Sequence, residues 1–291
     1  MSNKVWLNGL GRWDERVNKR EQPSTSSMIV GTVNGAGELA IYIRSQPHSD
    51  GIWHNFQGQD GKYYWIRNDV ISMVNLSSSD AISVKPITYH SQNDANSNLS
   101  PNDCGPACSV MMLSHGKITT TVNEFMRVAG INHTNYTSFA ENMRGISRYG
   151  LTSTVRQGIH LSHILEYIIN NKHPVFSLIY INPLRPNEYY SHFVVVSGYK
   201  LSGWNLQIEI QDPNIRDGHN KLYSANAFAE ALGQKGSSSN YPWQSLFILD
   251  YPENNENDGN CDPDIIKKSI ARLETIINEA KATQDELRRI L

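Results

Sequence analysis

Apolar residues follow three different rhythms along this chain. Over residues 1–75 they fall in short runs: 29–33 (Ile-Val-Gly-Thr-Val), 38–43 (Glu-Leu-Ala-Ile-Tyr-Ile), 51–56 (Gly-Ile-Trp-His-Asn-Phe) and 63–66 (Tyr-Tyr-Trp-Ile), with Asn34-Gly35, Asp50-Gly51 and Asp60-Gly61 between them. Aromatic and β-branched runs bounded by such dipeptides predict strands joined by hairpins, and their spacing predicts a small β-barrel over 1–78. Residues 79–250 mix two periods. Helices are expected over 104–115, 121–129, 137–148 and 160–171, and Thr121 with Glu124 three residues on fits a capping box. Strands are expected over 174–181, 191–199, 205–211 and 245–250. Helices first and strands later give an α+β order. A polar stretch without periodicity, 251–262, reads as a linker. Beyond it, Asp262 and Pro263 form a helix start, and Ile266, Ile270, Leu273, Ile277, Ala280, Gln284, Leu287 and Leu291 recur at steps of four and three. This coiled-coil-like helix over 263–291 is expected to mediate self-association, with packing on its own chain as the alternative.

The bulk numbers remove some functions. The chain has 291 residues, of which 39 % are hydrophobic, enough for two domains and an appendage. Its net charge of −2 supplies no field for nucleic acid or an anionic membrane. No apolar run approaches the roughly 20 residues that span a bilayer. Met1-Ser2-Asn3-Lys4-Val5-Trp6 opens no long apolar segment of the signal-peptide kind. The protein is therefore expected to be cytoplasmic as made, and to act there, at a cell wall or inside a particle. Three cysteines are too few, and an odd number, for a disulfide framework. Cys104 and Cys108 lie one helical turn apart but lack the second pair a zinc site needs. Cys261, in the linker, reads as a bystander.

The chemistry gathers in three segments. Asn102-Asp103-Cys104-Gly105-Pro106-Ala107-Cys108 precedes an apolar run, Ser109-Val110-Met111-Met112-Leu113. Asn102 or Asp103 can cap, Pro106 suits an early helical position, and Gly116 suits a left-handed stop. A thiol in the first turn of such a helix sits at the positive end of its dipole, which favours the thiolate. Cys108 reads as a small core residue. Cysteine catalysis also needs a base and a group to orient it. His192, in Ser191-His192-Phe193-Val194-Val195-Val196, opens a strand on the face of Val194 and Val196. Asp212, in Gln211-Asp212-Pro213, ends the next strand, so a hairpin can set the two side by side. Each has a plainer reading, as a buried structural thiol, a surface histidine and a turn aspartate. His90, His115, His133, His163 and His173 show no partner pattern and read as solvated or packed.

Taken in order, these segments resemble the C39-like peptidases, a papain-like cysteine peptidase group. That pattern runs from an upstream Gln to Cys-Gly-Pro at a helix start, then His-Phe-Val-Val-Val-x-Gly-Tyr, then Asp-Pro. Here the Gln is Gln92, twelve residues before Cys104. The resemblance covers about residues 84–250. It implies Cys104 as nucleophile, His192 as base, Asp212 as orienter and Gln92 as oxyanion donor, acting on a peptide bond of protein or peptidoglycan with no metal or cofactor. No ABC-transporter segments accompany it. Val17-Asn18-Lys19-Arg20-Glu21-Gln22-Pro23-Ser24, followed by Val30-Gly31-Thr32-Val33, is similar to the opening of bacterial SH3-like (SH3b) domains, which read Leu-Asn-Val-Arg-x-x-Pro-Ser and then Val-x-Gly-x-Leu. That likeness implies a cell-wall setting, as in wall-hydrolysing enzymes of bacteria and phages. Two other readings stand beside the peptidase. One is a non-catalytic papain-fold scaffold or wall-binding component of a phage or secreted particle, assembled through 263–291. The other is amidase or transferase chemistry on the same residues.

Overall fold

A computed structural model of the chain describes residues 3–10, 14–76, 81–93, 102–132, 136–233, 244–248 and 250–251. Most of the expected linker, Cys261 and the coiled-coil-like helix over 263–291 lie outside these residues.

Seven antiparallel strands come first: β1 (Lys4–Gly9), β2 (Arg16–Arg20), β3 (Ile29–Asn34), β4 (Glu38–His48), β5 (Gly51–Gln57), β6 (Tyr63–Arg67) and β7 (Ile71–Asn75). Strands β3 to β6 are the four expected runs. The chain reverses between them at Gly37, Gly51 and Gly61, whose φ values of 89°, 137° and 79° suit a residue without a Cβ. The hydrogen-bonded order is β3-β2-β6-β5-β4-β1-β7. Among the described residues no ladder joins β3 to β7, so an open path stands where a closed barrel was expected.

The second part holds β8 (Ala81–Ser83), α1 (Cys104–His115), α2 (Val122–Ala129), α3 (Phe139–Arg148), β9 (Ser153–Gln157), α4 (Leu161–Asn171), β10 (Val175–Tyr180), β11 (Ser191–Ser202), β12 (Asn205–Gln211), β13 (Lys221–Ser224), α5 (Ala225–Gly233) and β14 (Gln244–Ile248). Its antiparallel sheet runs β13-β12-β11-β10-β14-β9, with β8 also on β11. One core joins α1, α2 and α3 to Phe176, Phe193 and Val195. Another joins α4 and α5 to Val175, Val194 and Val196. Strand β11 is thus buried on both faces, which explains an unbroken Phe-Val-Val-Val run where a half-exposed strand would alternate.

The two parts share the second core. Trp6, Ala36, Val74 and Leu76 of the first sheet pack with Leu161, Ile164 and Leu165 of α4. The other side of the first sheet packs on itself, gathering Val5, Leu7, Val33, Phe56, Ile66 and Ile71 into a core of its own. Buried Asn8 locks the seam: its Nδ2 donates to the Gly35 carbonyl at 2.8 Å, and its Oδ1 accepts from the Ser162 N–H at 3.2 Å. One of the orphan N–H groups opening α4 is so capped from another layer.

Two helix ends differ from expectation. The Asp103 side chain makes no capping bond on α1. Gly116 is not left-handed, with φ −78°, and the left-handed residue is Lys117, with φ 60°. What Gly116 supplies is room, because a Cβ there would stand 2.8 Å from the Tyr251 ring. At α2 half of the expected box is made, Thr121 accepting from the Glu124 N–H at 3.2 Å while the Glu124 carboxylate turns to Arg127, and α3 opens on a full capping box of Ser138 and Glu141.

Candidate active site

Helix α1 begins at Cys104, its first intrahelical bond running from the Ala107 N–H to the Asp103 carbonyl at 3.0 Å. Pro106 falls among the donors that have no partner in any first turn, so its missing N–H costs nothing. Gly105 is demanded by its neighbours. A Cβ there would lie 2.1 Å from Thr137 Oγ1 and 2.7 Å from Asn142 Nδ2. Asn142, fully buried on α3, accepts from Ser109 Oγ at 2.9 Å and donates to the Ser138 carbonyl at 2.8 Å. The first turn of α1 is thereby tied to the loop that opens α3. Gly105→Ala is expected to cost about 1–3 kcal/mol through overpacking and to displace Cys104, read as a lower thermal midpoint together with slower alkylation of that thiol.

His192 and Asp212 meet as the hairpin expectation requires. Val195 pairs with Gln211 and Val196 with Ile210. Carried one pair further, this register sets Asp212 opposite Val194, diagonal to His192 on one face. His192 Nε2 and Asp212 Oδ1 are 2.7 Å apart, with both residues buried. Cys104 lies close enough to His192 to act on its ionisation. Burial works against charge on the imidazole. The hydrogen bond that the ring donates to Asp212, together with Cys104 and the field of both, outweighs it and pushes the pKa up to about 9. Burial likewise opposes ionisation of Asp212, but His192, Arg185 and the Asn214 N–H hold its pKa below the usual value.

The loop carrying Asp212 is pinned at several points. Its Oδ1 accepts from the Asn214 N–H at 3.0 Å, its carbonyl accepts from Tyr89 Oη at 2.7 Å, and its N–H donates to the Gly218 carbonyl at 2.9 Å. Gly218 has no room for a side chain, since a Cβ there would lie 1.9 Å from the Asp212 carbonyl oxygen. Gln92 is strapped to the same loop. Its N–H donates to the Pro213 carbonyl at 2.8 Å, Ser91 Oγ reaches the same oxygen at 3.1 Å, and Asn93 Nδ2 reaches the Asn214 carbonyl at 3.0 Å. Gln92 is 2 % exposed. The structure thus pairs His192 with Asp212, places Cys104 near His192 and fixes Gln92 on the Asp212 loop. Cys108 is wholly buried; burial, with Cys104 and Asp212 nearby, pushes its thiol pKa far up and keeps it protonated.

Two neighbours of the site did not emerge from the sequence. Arg185 Nη2 stands 3.6 Å from Asp212 Oδ2. Tyr190 sets its ring edge-on to His192, with centroids 6.0 Å apart. Its hydroxyl accepts from Arg185 at 3.1 Å and from Asn214 Nδ2 at 2.7 Å, and donates to Glu188. Tyr190 adjoins the Ser-His pair in sequence, which is a faint signal; Arg185 lies in an aperiodic loop and gives none. Among the described residues no group of three or more His, Cys, Asp or Glu side chains is gathered to hold a metal. Among them, too, no helix is long and apolar enough to cross a membrane.

Among solved structures the chain is similar to a C39-like protein of Bacillus anthracis, at 13 % identity and TM-score 0.44, over 60 % of this chain and 100 % of that one. It is also similar to the peptidase domain of Streptococcus ComA, a bifunctional ABC transporter of a quorum-sensing pathway, at 15 % identity and TM-score 0.39, over 54 % and 96 %. A third similarity is to a double-glycine-motif protease of an AMS/PCAT transporter in complex with its leader peptide, at 16 % identity and TM-score 0.37, over 57 % and 92 %. No curated protein sequence matches. The model of the Peptidase_C39 like family matches residues 84–239, which is more than half of the 291 residues and spans Gln92, Cys104, His192 and Asp212. This chain belongs to the Peptidase_C39 like family.

Proposed function

We propose that the chain is a cysteine peptidase in which Cys104, His192, Asp212 and Gln92 carry the chemistry. The observation that supports this most is the buried His192–Asp212 pair at 2.7 Å, with Cys104 near enough to act on the imidazole. In this reading the proton shared by Cys104 and His192 rests on His192. The Cys104 thiolate attacks the carbonyl carbon of a peptide bond, and the Gln92 side-chain amide donates to the oxyanion that develops. The tetrahedral intermediate collapses as the C–N bond breaks, and His192 delivers its proton to the leaving amine. Neutral His192 then takes a proton from water as that water attacks the thioester. The acid leaves and the pair is restored, with no redox change. We read the first sheet as an SH3b-like docking module for a cell wall, and residues 263–291 as a self-association helix, on the sequence motifs given above.

The pH profile tests the central step. Amide cleavage needs the imidazolium, which persists up to about pH 9. For a peptide amide, kcat/KM is expected to fall with unit slope above that value. An ester of the same acyl group, whose leaving group needs no proton, falls less. Identical alkaline limbs for amide and ester would overturn His192 as the acid.

A further inference from the structure

Cys104 lies in the wall of a cavity of about 710 Å³. The cavity runs between α3 and the strands β9, β10 and β11. Its apolar surface comes from Phe139 and Met143 of α3, Val155 of β9, Leu178 of β10 and Phe193 of β11. None of the thirteen lining residues carries a charge: Asp, Glu, Lys, Arg and His are all absent from this wall. The floor is built in advance. Phe139 and Phe193 meet edge to face with centroids 5.0 Å apart, and each also packs on Phe176, at 5.4 Å and 4.9 Å. Three interlocked rings do not collapse into a gap, so the space is kept open without a ligand.

We infer that this cavity is the specificity pocket of the proposed peptidase, and that it selects peptides with a large apolar side chain, Leu, Met or Phe, flanking the bond to be cut. The inference rests on Cys104 being the nucleophile. With the thiol in the cavity wall, whatever fills the cavity belongs to the residues nearest the reacting carbonyl. The volume is several times that of one large side chain, enough for that side chain and the backbone that carries it. An apolar side chain gains by leaving water there, whereas a charged one would be buried without a partner. The preference for Leu, Met or Phe over Gly is expected to be about 10- to 100-fold in kcat/KM. Against Asp, Glu, Lys or Arg it is larger.

Ala140 gives a direct handle. It lines the cavity from α3, yet it is an exposed residue, so a larger side chain there narrows the cavity without invading the core. The experiment incubates the full chain and Ala140→Trp with a peptide library randomised on both sides of a central position, and reads the products by mass spectrometry. The wild-type fragments are expected to show Leu, Met or Phe at one fixed position beside the cut, with charged residues depleted there. Ala140→Trp, melting within a few degrees of wild type, is expected to reduce that preference at least tenfold. Cleavage by wild type with no side-chain preference overturns the pocket and leaves the peptidase standing. So does an unaltered preference in Ala140→Trp. Absence of any cleavage overturns both.

Discussion

Cys104→Ala is expected to abolish peptide cleavage, lowering kcat/KM by at least about 10⁴-fold, because the covalent route is lost entirely. Cys108 cannot replace the missing nucleophile, since it is fully buried one turn further along α1 and held protonated. The variant is expected to fold. Alanine suits the first turn of a helix, and the change removes one sulfur, at a cost of about 1 kcal/mol or less. The loss can therefore be read as chemistry. It should have a second signature as well: Cys104 is one of the partners that push the His192 pKa up to about 9. Without it, burial and Asp212 alone set that value, and titration of His192 by NMR should show a lower pKa in the variant. Activity kept by Cys104→Ala would overturn Cys104 as the nucleophile, and absence of cleavage by the wild type would favour the scaffold.

Much of this site was legible because its signals are local. Cys104-Gly105-Pro106 announces a helix start within three residues, and the bounds expected for α1 are those observed. His192 and Asp212 stand at the two ends of one hairpin, so strand alternation and a short connection suffice to pair them. The family resemblance added Gln92, which no period would have singled out. What escaped depends on partners distant in sequence. Strand β2 is polar and only half-buried, with Arg16, Asn18, Lys19 and Arg20 in five residues, so its backbone pairing leaves little apolar trace. Strand β1 buries Trp6 on one side and Leu7 on the other, and the burial of Trp6 makes sense only beside α4, more than 150 residues away. Helix α5 is mostly small or apolar, and only Asn226 and Glu230 mark its polar face over nine residues. Arg185 reaches Asp212 across 27 positions from a loop. The spacing of turn glycines marked hairpins correctly but did not indicate closure. Closure depends on which edge strands pair, and among the described residues β3 and β7 share a core without sharing a ladder.

Asp212→Ala is expected to reduce kcat/KM by about 10²- to 10⁴-fold, and Asp212→Asn by less, with the difference separating orientation from charge. Asn keeps an oxygen that can accept from His192 Nε2, so the ring stays aimed. It removes the negative charge and places an amide donor or a bare carbonyl before the Arg185 guanidinium, 3.6 Å from the present Oδ2. Because Asp212 raises His192 through both a hydrogen bond and its field, and burial opposes both, either substitution lets burial win. The alkaline limb of kcat/KM should then move from about pH 9 toward neutrality. Stability should respond in the same sense. In wild type the His192 contribution is complete below its usual value of 6.5 and is lost as pH rises from there to about 9. The Asp212 contribution is complete above its usual 3.8 and is lost as pH falls through its depressed folded value. Unfolding free energy measured across pH should lose the alkaline slope in both variants. Asp212→Ala should also be the less stable of the two, by about 3–5 kcal/mol relative to wild type, because it strands a buried imidazole N–H and removes the carboxylate facing Arg185. Equal activity and an unshifted alkaline limb in Asp212→Asn would show that the carboxylate charge does not govern His192.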